Sequence, residues 1–571
     1  MRAMPPPPSR WWLVAILLAS LCINCCGIGW GLPNGNTTWA TDSFGPMTPL
    51  AIAKHGVAGS NWNSGWFYFK YPIGHPLVLL AAELPYLGWL RVTGEMQTPK
   101  ASYPYGFRRP EHALTRLAIL TRLVSVLMGV GIVGLAYLAV ALLFGVSAGL
   151  AAAVLVAGCY PIVFYAHTTN VDLPLVFWIM LAVTATLVSA SQTSPGAALI
   201  SGLAVAMAML SKEAAIGVVV VLPIVWLLAR RTAPPLRRDE VVTAVTRTAM
   251  GFAAATVLMG GVWWNPMGYV NRWRYLLRIL PEELRQQLVP YQPFAEAPGL
   301  SVGTEVQRLW HMMGVAHNGL TWPILLLCAV GVVWAALYRP RQAVLLLLPI
   351  VSYYTFSLRA YYLVNVRYAM PVLVFLLLFG GAIGGALIDW IRGWSRPGAR
   401  RLAMLGCAGA LAMALLPGIE VDRLLVRDVR YRAEAWFRSH AVAGPRVEVY
   451  QPATYLPRFG PEARVVKVPL EERTVESFQQ RQPDFVVLTS GGRPGLVNRR
   501  NFEWQHGSPV VFESAEAKRF LRLLESEQLG YRRVAQFRTP TCWITPQISS
   551  LNPEITVFSR AVTGQAASTD Q

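Results

Sequence analysis

Charged residues are scarce in this sequence. Asp, Glu, Lys and Arg together make up 14% of its 571 residues, whereas soluble globular proteins carry about 25%. Hydrophobic residues account for 54% of the chain. This shortage of charge excludes an ordinary soluble protein and indicates that most of the chain lies in a lipid bilayer.

Cysteine pairs and metal-binding spacings are also missing. The chain has seven cysteines, of which Cys542 stands alone in the polar C-terminal part and the rest lie in or beside apolar segments. No pair suggests a disulfide framework, and no cysteine is spaced from a histidine as in a zinc site. We therefore expect no obligatory metal cofactor, although His55 and His75 leave room for a divalent ion in the first loop.

The net charge of +20 does not by itself indicate a nucleic-acid partner. A nucleic-acid-binding protein carries its basic residues as a patch on one face or helix. Here they cluster in short loops between apolar runs, as in membrane proteins that cross the bilayer many times. We therefore expect membrane lipids, and not nucleic acid, around the chain.

About eleven apolar runs could cross a bilayer, since a span takes about 20 residues. They lie near 11–31, 114–141, 146–166, 171–190, 196–211, 214–229, 245–264, 321–338, 342–358, 367–388 and 402–417. The first run could also be a signal peptide. It shows no cleavage site of small residues and more spans follow, so we interpret it as an uncleaved helix. The short run 76–90 contains Glu83 and Pro85 and predicts a helix lying in the membrane interface.

The arginines predict the orientation of these spans. Short cytoplasmic loops carry an excess of Lys and Arg. With the N-terminus in the cytoplasm, the inside loops hold Arg2 and Arg10; Arg230, Arg231, Arg237 and Arg238; Arg339 and Arg341; and Arg392, Arg396, Arg400 and Arg401. The long loops 32–113 and 265–320 then lie outside, as does the chain after about residue 418. This predicts a multi-pass protein of the plasma (inner) membrane.

The sequence after residue 418 has soluble composition. The stretches 427–441 and 514–530 have helical patterns, the second with a Ser cap and a terminal Gly. Four stretches read as strands, "RVEVYQP", "ARVVKV", "DFVVLTS" and "YRRVAQF". Alternating helices and strands predict a small α/β domain over 419–550, outside the membrane. Residues 551–571, rich in Ser, Thr, Ala and Gln, are predicted to be disordered.

The charged and polar groups that fall at the outer ends of the helices are the candidate site. They are Asp42, Lys70, His75, Asp172, Lys212, Glu213, Arg359, Arg367 and Tyr368. Cations near the headgroup layer suit a phosphate, which Arg can hold by two parallel hydrogen bonds and Lys as a point charge. A carboxylate close by suits deprotonation of an incoming hydroxyl. Together they predict a site for a sugar linked to a lipid phosphate.

Each of these residues also has a plain structural explanation. Asp42 could be a solvated residue beyond a helix end, and Asp172 could cap the start of a helix. Lys212 and Glu213 could be turn residues. His55 and His75 are more often structural than metal ligands, and an arginine such as Arg367 can extend its head group to the interface. The argument for a site rests on their common location.

The order of short motifs resembles the GT-C glycosyltransferases, in the bacterial branch of the protein O-mannosyltransferases and lipid A aminoarabinose transferases. The motifs are "WATDSFGP" after the first helix, "KYPIGHPL" late in the first loop, "NVDLPLVFW" at the start of the fourth helix, "LSKEAAI" in an outer turn and "RYAMP" at the start of a late helix. "DRLLVRDVRYRAEAWF" resembles the helix that opens the outer domain of bacterial relatives. The resemblance covers roughly residues 10–417.

The resemblance implies an enzyme that moves a sugar from a polyprenyl-phosphate donor to an acceptor hydroxyl on a glycolipid, polysaccharide or protein, with inversion. It implies that Asp42 is the catalytic base and that Asp172 supports the site. Lys70 and Arg367, with Lys212 and Arg359, are then expected near the donor phosphate. The remaining candidates are His75, Glu213 and Tyr368. The family often has an Asp-Glu pair in the first loop, whereas here Ser43 follows Asp42.

Two other functions compete with this one. A transporter also keeps charges within its membrane part, but transporters usually contain inverted repeats with broken helices near the bilayer midplane. Here the charges fall at one surface and no repeat is visible. A non-catalytic sensor or assembly protein would instead act through its C-terminal domain, in which no catalytic pattern is recognisable.

Overall fold

A computed structural model describes residues 7–33, 39–40, 43–57, 71–100, 102–230, 237–263, 265–277, 279, 301–360, 365–440, 444–490, 514–542, 544–546, 548 and 550–561. The chain divides into two compact units. The first, here called the membrane unit, comprises Met1–Asn36 and Asp42–Asp422. The second, the C-terminal unit, comprises Thr37–Thr41 and Arg423–Gln571.

The membrane unit is helical. Its helices are α1 (Pro7–Cys25), α2 (Thr48–Val57), α3 (Gly74–Val92), α4 (Pro110–Phe144), α5 (Val146–Ala157), α6 (Tyr160–Ala166), α7 (Asp172–Gln192), α8 (Pro195–Ser211), α9 (Ile216–Val219), α10 (Leu222–Arg230), α11 (Arg238–Met259), α12 (Pro266–Leu276), α13 (Val302–Leu320), α14 (Trp322–Tyr338), α15 (Pro340–Phe356), α16 (Val366–Arg392), α17 (Pro397–Met413) and α18 (Leu416–Val426). Each predicted apolar run lies largely within one of these helices or within two consecutive ones. The predicted interfacial run corresponds to α3.

Several of these helices are long and apolar enough to cross a membrane. Within the described residues there are six, in Pro110–Phe144, Asp172–Gln192, Glu213–Arg230, Arg238–Met259, Val366–Arg392 and Pro397–His440. The bent pairs α5–α6 and α13–α14 raise the number to eight if each is one span, and α1 and α8 are shorter apolar helices. The multi-pass helical fold is confirmed, and the count of eleven spans stays a prediction.

Close helix packing fixes the position of α8. At the crossing of α8 and α11, a Cβ on Gly202 would lie 1.9 Å from the carbonyl oxygen of Thr248. A Cβ on Gly251 would lie 2.1 Å from that of Leu199. Small residues let helix backbones approach closely inside a membrane, so these two glycines are required by the packing. On its other side α8 packs against α7, where the hydroxyls of Thr186 and Ser201 lie 2.8 Å apart.

The C-terminal unit is built on a five-stranded sheet. Its strands are β1 (Arg446–Val449), β2 (Arg464–Lys467), β3 (Phe485–Thr489), β4 (Tyr531–Phe537) and β5 (Ile555–Arg560), in the order β2-β1-β3-β5-β4. The strand β1 is parallel to β2 and β3, whereas β5 is antiparallel to β3 and β4. The helices are α19 (Val429–His440), α20 (Val475–Arg481) and α21 (Ala515–Glu525). The predicted small α/β domain is confirmed.

Side chains alternate between the two faces of this sheet. Val486 and Leu488 of β3 belong to a core with α20 and α21. Phe485 and Val487 of the same strand pack with α19 on the opposite face. The sheet is therefore covered by helices on both sides, and β3 is buried along its whole length.

The predicted disorder of residues 551–571 is wrong for its first part. Residues 555–560 form β5, which pairs with β3 from Ile555 to Ser559 and with β4 from Ile555 to Arg560. The segment "ITVFSR" has strong strand-forming residues, but the polar residues that follow it hid the pattern. Residues 562–571 lie outside the described part of the chain.

The segment Thr37–Thr41 of the first loop belongs to the C-terminal unit, which the sequence did not predict. Trp39 is 2% exposed, and its ring centroid lies 5.0 Å from that of Tyr431. The guanidinium carbons of Arg430 and Arg458 lie 4.1 and 4.9 Å from the Trp39 ring. A buried tryptophan that contacts two arginines thus ties this short segment into the fold of the unit.

Candidate functional site

Two consecutive antiparallel helices bring Asp172 and Lys212 together. Asp172 is the first residue of α7, and Lys212 follows the last residue of α8. A short turn joins the two helices, so the start of one and the end of the other fall at the same end of the pair. Lys212 Nζ lies 2.5 Å from Asp172 Oδ1, and the side chains are 9% and 3% exposed.

This ion pair replaces the predicted capping role of Asp172. The residue before α7 is Val171, and the Asp172 backbone N–H donates to the side-chain oxygen of Asn170 at 2.8 Å. The Asp172 carboxylate is therefore available to Lys212. Charges removed from water need a partner, and here each one compensates the other.

An aromatic ring extends this pair to a second cation. Asn365 caps α16 and accepts hydrogen bonds from the backbone N–H groups of Arg367 and Tyr368. Lys212 Nζ lies 4.3 Å from the centre of the Tyr368 ring, and the guanidinium carbon of Arg367 lies 4.8 Å from it. Arg367 Nη2 also donates to the Tyr368 hydroxyl at 2.8 Å. We call Asp172, Lys212, Arg367 and Tyr368 the cation cluster.

The cation cluster has the composition of an anion site. It contains two cations and one carboxylate, and the carboxylate lies against only one of the cations in the contacts given above. Lys212 and Arg367 both interact with the face of a single tyrosine ring, an arrangement that stabilises cations by roughly 0.5–2 kcal/mol each. The ring holds the two positive charges close together, so a phosphate between them could meet both.

Glu213 points to a neighbouring element. Its carboxylate forms an ion pair with Arg272 of α12, in the second large loop predicted from the sequence. Both residues line a cavity of about 200 Å³. The rest of the lining is mainly apolar and includes Leu210, Ile216, Phe252, Trp273 and Leu276. An apolar cavity with an ion pair in its wall therefore begins one residue along the chain from Lys212.

Arg359 lies in a different cluster from the one predicted. Its Nε donates to Glu305 Oε1 at 2.8 Å, and the same carboxylate accepts from Arg308 at 2.7 Å and from the Tyr354 hydroxyl at 3.0 Å. Glu305 belongs to α13 and was not among the predicted residues. The one sequence signal for it was the spacing of Glu305 and Arg308, which are three residues apart on a helix.

His75 is completely buried at the start of α3, and its ring lies 6.3 Å from that of Phe44. The predicted catalytic Asp42 and the predicted phosphate ligand Lys70 lie outside the described residues. Within the described part of the chain, no three His, Cys, Asp or Glu side chains are grouped closely enough to hold a metal ion.

Residues 117–259 match the family described as dolichyl-phosphate-mannose-protein mannosyltransferase. The matched stretch contains Asp172, Lys212 and Glu213, that is, the ion pair and one wall residue of the cavity. The predicted membership of the GT-C glycosyltransferases is thereby confirmed, and the chain is a membrane glycosyltransferase. A transporter and a non-catalytic assembly protein are the less favoured alternatives.

Solved structures with a similar course of the chain include two membrane glycosyltransferases. ArnT from Cupriavidus metallidurans bound to undecaprenyl phosphate has 13% sequence identity and a TM-score of 0.40, with coverage of 98% of this chain and 99% of that chain. The archaeal oligosaccharyltransferase AglB from Archaeoglobus fulgidus, in complex with an inhibitory peptide and a dolichol-phosphate, has 10% identity and a TM-score of 0.44, with coverage of 96% and 88%. No curated protein matches the chain.

Proposed function

We propose that this protein transfers a sugar from a polyprenyl-phosphate donor to a hydroxyl group of an acceptor on the outer side of the membrane. The observation that carries the proposal is the cation cluster, in which Lys212 and Arg367 contact one Tyr368 ring. The matched family takes its sugar from dolichyl phosphate, which is a donor of this chemical class.

In this proposal Lys212 and Arg367 bind the donor phosphate. Arg367 provides a planar fork of N–H donors, and Lys212 provides a compact charge. Asp172 keeps Lys212 in place through the 2.5 Å ion pair. The resemblance adds Lys70 to the phosphate ligands, from the first-loop motif. Arg359, which is paired with Glu305, contributes through the local field.

The apolar cavity suits the polyprenyl chain of the donor. Its lining of Leu210, Phe252, Trp273 and Leu276 can bury isoprene units at about 25 cal/mol per Å² of apolar surface. Because Glu213 follows Lys212 directly in the chain, a lipid in this cavity would have its phosphate near the cation cluster. The same molecule would thus use an apolar site for its tail and a charged site for its head.

The chemical step then divides between two carboxylates. Asp42 takes the proton of the acceptor hydroxyl, and the hydroxyl oxygen attacks the anomeric carbon of the sugar on the face opposite the phosphate. The bond between that carbon and the phosphate oxygen breaks, and the polyprenyl phosphate leaves with the bonding electron pair. Its developing charge falls on Lys212 and Arg367, which stabilise the transition state electrostatically. The sugar is transferred with inversion.

The proposed location is the plasma membrane, with the N-terminus in the cytoplasm and the C-terminal unit outside. The support is the distribution of arginines in four short loops, as the sequence shows. In this orientation the cation cluster faces the outside, where glycolipid, polysaccharide or protein acceptors carry free hydroxyls. The C-terminal unit is then on the same side of the membrane as the acceptor.

Donor consumption tests the proposal. Purified protein in lipid nanodiscs is incubated with a panel of polyprenyl-phosphate sugars and a membrane extract as the acceptor source. We expect one donor to be converted to free polyprenyl phosphate, with its sugar appearing on an extract component. The control is the variant Asp42→Asn. If no donor is consumed, or if Asn at position 42 leaves consumption unchanged, the proposed reaction is wrong.

A further inference from the structure

A pair of hydroxyl groups joins the first loop to the turn that precedes α7. Ser43 Oγ lies 2.7 Å from Thr169 Oγ1 and accepts a hydrogen bond from the Thr169 backbone N–H at 3.0 Å. Thr169 Oγ1 donates to the backbone carbonyl of Phe44 at 2.6 Å. A threonine hydroxyl has a single proton, so the Ser43 hydroxyl donates its own proton to Thr169 Oγ1. We call these three hydrogen bonds the hydroxyl clamp.

The turn that carries Thr169 is itself held on both sides. The ring nitrogens of His167 lie 2.7 Å from the Val163 carbonyl oxygen and 2.6 Å from that of Cys26. Asn170 accepts from the backbone N–H of Asp172. Thr169 is 4% exposed and Phe44 is 5% exposed, so water competes little for the hydroxyl clamp. The first loop is thus attached to a rigid, buried support.

The position of this clamp between two predicted functional carboxylates gives it a role. Ser43 is the residue after Asp42, and consecutive Cα atoms are about 3.8 Å apart across a trans peptide bond. Thr169 lies three residues before Asp172 on the other side. We propose that Ser43 and Thr169 are positioning residues, which fix the chain at Asp42 relative to the start of α7. This inference rests on the proposed function, in which Asp42 is the base.

The physical reason is the sensitivity of a chemical step to distance. A base must lie within hydrogen-bond reach of the proton that it takes, and a misplacement of about 1 Å can cost on the order of 10²-fold in rate. Donor binding depends on Lys212, Arg367 and the cavity, none of which is among the partners of the hydroxyl clamp. Loss of the clamp should therefore lower kcat and leave donor affinity unchanged.

Substitutions at Thr169 separate the hydroxyl group from the shape of the side chain. Thr169→Val keeps the branched shape and removes the hydroxyl, whereas Thr169→Ser keeps the hydroxyl. We expect Thr169→Val to lower kcat by on the order of 10²-fold, with donor Kd as in the unchanged protein, and Thr169→Ser to retain most of the activity. Thr184→Val is the matched control, because Thr184 is also buried and its hydroxyl has no hydrogen-bond partner among the described residues.

A second measurement distinguishes positioning from a general loss of folding. In the background of Asp42→Asn the base is already absent, so Thr169→Val should cause no further loss of kcat. Ser43→Ala, which removes the other hydroxyl, should give the same pattern and serves if the valine variant fails to fold. Additive losses, a parallel loss of donor affinity, or a valine variant with full kcat would overturn the inference. A wild-type protein without any transfer would overturn the proposed function as well.

Discussion

Lys212 Nζ and Asp172 Oδ1 lie 2.5 Å apart, at a place where each side chain is less than one tenth exposed. Forty residues of sequence separate them, and neither α7 nor α8 would need its charge on its own. Removing one partner from such a pair leaves an uncompensated buried charge, which typically costs about 3–5 kcal/mol. The pair is therefore both a structural requirement and the support for one of the proposed phosphate ligands.

The first prediction concerns this ion pair. We expect Lys212→Met and Asp172→Asn each to lower the free energy of unfolding by about 3–5 kcal/mol, and the double variant to lose much less than the sum of the two. The measurement is thermal unfolding of the detergent-solubilised protein. Asp389→Asn is the control, because its ion pair with Arg392 is more than half exposed and exposed pairs contribute only about 0.2–1 kcal/mol. Additive losses would show that the two charges do not depend on each other.

Arg367 and Arg392 lie at opposite ends of α16, so they form a matched pair for testing phosphate binding. We expect Arg367→Ala to weaken donor binding by about tenfold to a hundredfold, since hydrogen bonds to charged groups contribute roughly 1.5–3 kcal/mol. Arg392→Ala should bind the donor normally. Both are measured by titration with a polyprenyl-phosphate sugar. Equal affinities for the two variants would place the phosphate elsewhere.

Asp42 is the proposed base, and its replacement should act on turnover. We expect Asp42→Asn to lower kcat by about 10²–10⁴-fold, the usual contribution of general-base catalysis. Donor binding should stay close to that of the unchanged protein, since an interaction used in the transition state affects kcat. Steady-state transfer and donor titration together measure the two effects. A near-normal kcat would direct the search for the base to Asp172 or Glu213.

Trp39 should matter for the stability of the C-terminal unit. It is buried against Tyr431 and contacts Arg430. We expect Trp39→Ala to destabilise this unit by about 3–5 kcal/mol, as for other buried tryptophans cut back to alanine. Limited proteolysis of the full chain reports the effect as faster cleavage after residue 423. The exposed Trp12 provides the control Trp12→Ala, for which no faster cleavage is expected.

The proposed orientation makes a separate prediction. Reporter fusions after residue 235 and after residue 440 should report opposite sides of the membrane, the first the cytoplasm and the second the outside. The physical reason is the retention of Arg-rich short loops on the cytoplasmic side. Two fusions that report the same side would mean that the number of spans between them is wrong.

Local pattern determined much of this molecule before any tertiary contact was known. The apolar runs predicted the helices of the membrane unit, because a segment in lipid must satisfy its own backbone hydrogen bonds. Alternation predicted β1, β2, β3 and β4, and the Ser514 cap predicted the start of α21. The pattern failed at β5, which lies next to the polar end of the chain and is stabilised by pairing with distant strands.

Partnership between side chains was decided only by the tertiary structure. The sequence placed Asp172, Lys212 and Arg359 at helix ends on one side, but packing paired Lys212 with Asp172 and gave Arg359 to Glu305. It also assigned Trp39 of the first loop to the C-terminal unit. Periodicity reports which face of an element is apolar, and it extends over a few turns. An ion pair between residues far apart in sequence depends on how whole helices cross, and that is set by close contacts such as those at Gly202 and Gly251.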